Sequence, residues 1–235
     1  MMRRTLRIAS AHLLQRSLLI ASALLIAGST ARAQAPDRRL ERLDASTAAV
    51  VQAIVDSVRP LGIPSEPIID KALHAAVRNM SAAVILSSVR ARVAELGAAR
   101  AALAPATESE IIAGADAIRS GASPETLREL RRARPSMELT VPIGVLADLI
   151  GRGVERDTAA ALMLQLASMD MEDRELTDFR RMVDRDIALG ALPSAAAAIR
   201  AEAAGVRNLN QAGVDAGPTN NRPPTSPRPI PPQRP

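Results

Sequence analysis

From Asp37 to Gly205 the chain is a succession of apolar stripes, with apolar residues three and four positions apart. Leu40, Leu43, Val50, Val51, Ile54 and Val58 share one stripe, and Thr47 is its polar member. The same period runs through Ile85, Val89, Val93 and Leu96, and through Ile143, Leu146 and Leu149. It returns in Leu176, Phe179, Val183 and Ile187. This is the period of amphipathic helices. Valine and isoleucine never alternate cleanly with polar residues between hairpin turns, so no strand is expected. The pattern predicts an all-α domain of about eight or nine short helices. Stacked helical hairpins, solenoid-like, and a bundle both fit it.

Helix ends repeat a common chemistry. Gly62-Ile63-Pro64-Ser65-Glu66, Gly121-Ala122-Ser123-Pro124-Glu125 and Gly153-Val154-Glu155-Arg156-Asp157 are three versions, and Gly190-Ala191-Leu192-Pro193-Ser194 is a looser fourth. Glycine suits the left-handed residue past a helix end, and the residue after it can fold back on the last turn. Serine caps the next helix, proline suits its first turn, and a carboxylate there meets the positive end of the dipole. Thr107-Glu108-Ser109-Glu110 reads as a capping box. The first helix is expected from Pro36 or Asp37 to Val58. Later starts fall near 64, 81, 107, 123, 142, 155, 171 and 193. The junctions at Gly121 and Gly153 are 32 residues apart, about one helical hairpin. That fits a repeat, and it also fits turn chemistry recurring in any all-helical protein.

Outside this region the pattern changes. Residues 1–33 read as a secretory signal peptide: Arg3, Arg4 and Arg7, then the apolar run from Leu18 to Gly28, then Ala31-Arg32-Ala33 as a cleavage site. The run is shorter than the roughly 20 residues that span a bilayer, so no integral membrane span is expected after cleavage at Ala31 and Ala33. Arg3-Arg4-Thr5-Leu6 partly resembles a twin-arginine signal, although the Leu-rich core fits the general secretion route better. The protein is expected to be exported, to the periplasm or beyond the cell. The helical domain is expected over 34–205. From 206 to 235 a disordered tail is expected, because eight of the last 18 residues are proline. Its PxxP spacings fit a spacer or tether better than a specific ligand.

Removing the signal changes the charge. The whole chain is +5, and the five arginines at 3, 4, 7, 16 and 32 account for all of it. From Gln34 onward there are 25 basic and 25 acidic residues. Up to Gly205 the body holds 21 basic and 24 acidic residues, so it is −3. With no Trp or Tyr and a single Phe179, nothing suggests nucleic-acid binding. The chain has no cysteine, so neither a disulfide nor a lipoprotein anchor is available.

Candidate chemistry is sparse. His12 lies in the signal, which leaves His74 beside Lys71 and Arg78 on one helix, and no G-x-S-x-G segment presents a nucleophile. Asp170, Glu172, Asp173, Glu175 and Asp178 lack the spacing of a calcium loop and read as a favourable helix start. Arg128, Arg131, Arg132 and Arg134 read as a solvated helix end, with Glu125 and Glu129 placed to pair with them; an anion site is the alternative. Phe179 reads as a core anchor. No catalytic, cofactor or metal residue is assigned. The expectation is a non-enzymatic binding or structural module of the cell envelope, whose partner is an unidentified protein or envelope component. A small-molecule or lipid carrier with an apolar cavity is the first alternative. A hydrolase built on two carboxylates is the second.

Overall fold

The computed structural model describes residues 37–215, with side chains through Val206. The signal segment with Ala31 and Ala33, and the tail beyond 215, lie outside the described residues. Among the described residues the protein is all-α, in one compact unit beginning at Arg38. Its nine helices are α1 (Ala45–Val58), α2 (Glu66–Val77), α3 (Ala82–Leu103), α4 (Glu108–Ser120) and α5 (Pro124–Ala133), then α6 (Thr140–Gly151), α7 (Arg156–Ser168), α8 (Asp173–Ala188) and α9 (Pro193–Asp215). The eight starts read from capping chemistry each fall within two residues of the observed start.

The first helix differs from expectation. It is two elements, a 3₁₀ turn at Arg38–Arg42 and then α1. Asp44 divides them. Its backbone is extended (φ −61°, ψ 149°), and its carboxylate accepts from Thr47 N–H at 2.9 Å and Ser46 Oγ at 2.6 Å. A new N-cap is a stronger local instruction than continuing an apolar stripe through it.

Helix ends are closed by backbone geometry. Gly121 has φ +117° and donates to the carbonyls of Ala117 and Ile118. Ala122 N–H then reaches back to Ala117 O at 2.9 Å, the six-residue loop of a Schellman turn. Ser123 Oγ accepts from Thr126 N–H at 3.0 Å and opens α5. Gly62, Gly153 and Gly190 also have positive φ, each followed by the same reach-back bond, to Val58, Leu149 and Asp186. Asn79 (φ +54°) takes the left-handed place between α2 and α3.

The helices stack in two rows. α3 packs on α5, α5 on α7 and α7 on α9; α4 packs on α6 and α6 on α8. The rows are joined by α3 on α4, α6 on α7 and α8 on α9, while α1 and α2 close the end beside α3. This ladder of next-but-one contacts is the hairpin-stack alternative. Its turns also touch. A Cβ on Gly121 would lie 2.9 Å from Arg156 Nε, and one on Gly153 would lie 3.7 Å from Pro193 Cγ. Glu155 N–H donates to Ser194 Oγ at 3.1 Å. The recurring junction therefore marks the starts of α5, α7 and α9, and successive copies rest on one another.

One continuous apolar core runs through the stack, with Phe179 fully buried in it. The boundary expected at Gly205 falls inside α9. Gly205 is buried against Met169, whose Cε would be 3.2 Å from an added Cβ. This glycine therefore serves close packing inside a helix and does not end one.

Candidate functional site

The four arginines near the end of α5 do not form a patch. Arg128 and Arg132 are exposed, and both pair with Glu125. Arg131 turns inward onto Glu110. Arg134 is 2% exposed; its Nη2 donates to Met171 O at 2.9 Å and its Nε to Met137 Sδ at 3.3 Å. Its Nη1 is buried with no hydrogen-bond partner. The acidic run at the start of α8 is a helix cap. Glu175 Oε2 accepts from Glu172 N–H at 2.9 Å, Arg181 pairs with Asp178, and the described residues contain no metal-binding cluster.

Glu110 is the one buried carboxylate among the described residues, 3% exposed. Its Oε2 accepts from Thr107 N–H at 2.8 Å, and its Oε1 from Leu139 N–H at 2.9 Å and Arg131 Nη2 at 2.6 Å. Arg131 also donates to the carbonyls of Leu103 and Met137. Burial pushes the Glu110 carboxyl up, but the two backbone N–H donors and the guanidinium outweigh it and hold it below the usual range. A surface cleft of about 430 Å³ lies beside this clasp, with Glu138 also on its wall. Glu110 stays ionised with its lone pairs in use. That suits a clasp joining α4, α5 and the α5–α6 loop, and not a proton donor.

A second cleft, of about 660 Å³, lies across α2, α3 and the end of α4. Its wall carries Lys71, His74, Arg78 and Arg119, and no carboxylate. Lys71 and His74 lie on α2 at i and i+3, and Arg78, the residue that caps its C-terminal end, follows at i+7 on the same side. None of their side chains is hydrogen-bonded or ion-paired among the described residues. Arg119 is different: its Nη2 lies 3.0 Å from Asp116 Oδ1, which also takes buried Arg92 at 2.9 Å. The unneutralised charge of the groove is therefore on Lys71 and Arg78. The same wall carries Val77, Met80 and Val84, exposed to 77%, 39% and 45%. The α2 part of this groove is visible in the sequence. Arg119 is not, because no local pattern places the end of α4 beside α2.

Among the described residues no helix is long and apolar enough to cross a membrane. Comparison with protein-family models, with characterised proteins and with solved structures finds no match to this chain.

Proposed function

We propose that the chain is an exported helical binding module of the cell envelope, acting without catalysis, and that the groove across α2, α3 and α4 holds its partner. The observation that carries this reading is the groove itself. Two cations without acidic partners, Lys71 and Arg78, share with exposed aliphatic side chains the wall of a concavity of ligand size. Several other charged groups pair with one another: Arg39 on Glu66, Arg180 on Asp148, Arg200 on Asp186. Export rests on the basic, apolar and Ala-x-Ala segments of residues 1–33. It is tested by the N-terminal sequence of the secreted chain, expected to begin at Gln34.

The binding claim is tested by capture from envelope extract. The full chain, a Lys71→Glu/Arg78→Glu variant and a chain ending at Asp215 are immobilised in parallel. A component held by the full and shortened chains but lost from the double variant supports the reading. Equal capture by all three would remove the groove from the function. The apolar half of the groove also favours a small-molecule or lipid carrier, and its ligand chemistry can be specified.

A further inference from the structure

We infer that the groove across α2, α3 and α4 binds a single-chain anionic amphiphile, its headgroup on Lys71, His74 and Arg78 and its tail on Val77, Met80 and Val84. The inference deepens the reading of this groove as the binding surface. Its first ground is charge. The body from Gln34 to Gly205 carries three more acids than lysines and arginines, yet this wall has three such cations, with His74 beside them, and no carboxylate. With Arg119 held by Asp116, Lys71 and Arg78 remain to be neutralised. An ammonium supplies a compact charge and a guanidinium a planar fork, and together they suit the oxygens of a carboxylate or phosphate headgroup.

The second ground is the surface beside those cations. Val77 and Val84 are branched aliphatics, and Met80 is long and adaptable. They are more exposed than large apolar side chains of the core, and they lie on the same wall as the charges. A flexible alkyl chain covers such a surface without needing the aromatic faces that this wall lacks. The third ground is size. About 660 Å³ lies within the range of small-molecule sites, which favours one amphiphile over the flat face of a bilayer.

Isothermal titration of the full chain with monomeric laurate tests this directly. Dodecyltrimethylammonium, hexaglutamate and phosphatidylglycerol vesicles are titrated alongside. The expected result is one laurate per chain, with no binding of the cationic homologue. Lys71→Gln/Arg78→Gln should weaken laurate by about tenfold or more, and Val77→Ser/Val84→Ser should weaken it comparably. Ile199→Gln, an exposed apolar change on α9, should leave it unaltered. All of these positions are at the surface, and unchanged melting temperatures identify the variants as folded. Absence of laurate binding, equal binding of the cationic homologue, or indifference to the groove variants overturns the proposal. So does binding of hexaglutamate or of vesicles without laurate, which points to a polypeptide or a membrane surface. If laurate fails while Lys71→Glu/Arg78→Glu still abolishes envelope capture, the ligand class falls and the groove stands. If capture ignores the groove, the underlying reading falls.

Discussion

Arg131 places Nη2 2.6 Å from Oε1 of Glu110, inside the protein, and so joins the last turns of α5 to the first turn of α4. The same guanidinium holds the carbonyls of Leu103 and Met137. Removing one member of a buried, hydrogen-bonded pair leaves the other charged and unpaired, at about 3–5 kcal/mol. Arg131→Met is expected to lower unfolding stability by that amount in urea denaturation. A loss below about 1 kcal/mol would mean that the clasp is incidental.

The pH dependence of the clasp has a definite sign. The folded Glu110 carboxyl titrates below its ordinary value. Its contribution is therefore complete above the unfolded-state value of about 4.3 and is lost as pH falls toward the folded one. Asp44, drawn down to about 2 by Ser46 and Thr47, and Asp186, drawn down by Arg200, behave alike. Comparison with Glu110→Gln cancels both. The stability difference between the wild type and this variant is expected to be constant above about pH 5 and to shrink below about 4.3. A difference that grows on acidification would reverse the assignment.

Arg134, three residues along, is expected to respond in the opposite way. Among the described residues it has no carboxylate partner, and its Nη1 is buried without a hydrogen bond. Replacing an unneutralised buried charge by an apolar side chain of similar length is often neutral or stabilising. Arg134→Met should change unfolding stability by less than about 1 kcal/mol or raise it. The same chemical substitution at Arg131 and Arg134 should thus give different outcomes in one denaturation series.

Two helix glycines separate packing from propensity. A Cβ on Gly114 would lie 2.8 Å from Leu103 Cδ1 and 2.9 Å from the Ala99 Cβ, whereas one on Gly144 meets nothing within 4 Å. Gly144→Ala is expected to stabilise by about 0.5–1 kcal/mol through backbone entropy. Gly114→Ala should destabilise by about 1–3 kcal/mol, because α3 and α4 must move apart. Thermal unfolding of the two variants is the check.

Local chemistry made most helix starts legible in the sequence, since capping involves residues within one turn of each other. Thr107 with Glu110, and Ser123 with Thr126, are such pairs. The interior roles of Arg131 and Arg134 were not legible. Their partners, Glu110 and Met171, lie 21 and 37 residues away, and a run of arginines looks the same whether it faces water or a neighbouring helix. The end of the domain, expected at Gly205, falls inside α9 for a related reason: no local pattern shows that this glycine admits Met169 against the backbone. The groove was half visible, as the Lys71, His74 and Arg78 face of α2. Its other wall depends on which helices stack.

Photocrosslinking in intact cells tests the central claim most directly. Val77 and Ile199 are both well exposed, at 77% and 64%, one in the groove and one on α9. Benzoylphenylalanine is placed at each position of the full chain in turn, and the adducts are read by mass. The account predicts an adduct from position 77 that disappears when Lys71→Glu and Arg78→Glu are added, and none from position 199. An adduct from position 199 with none from 77 would contradict it.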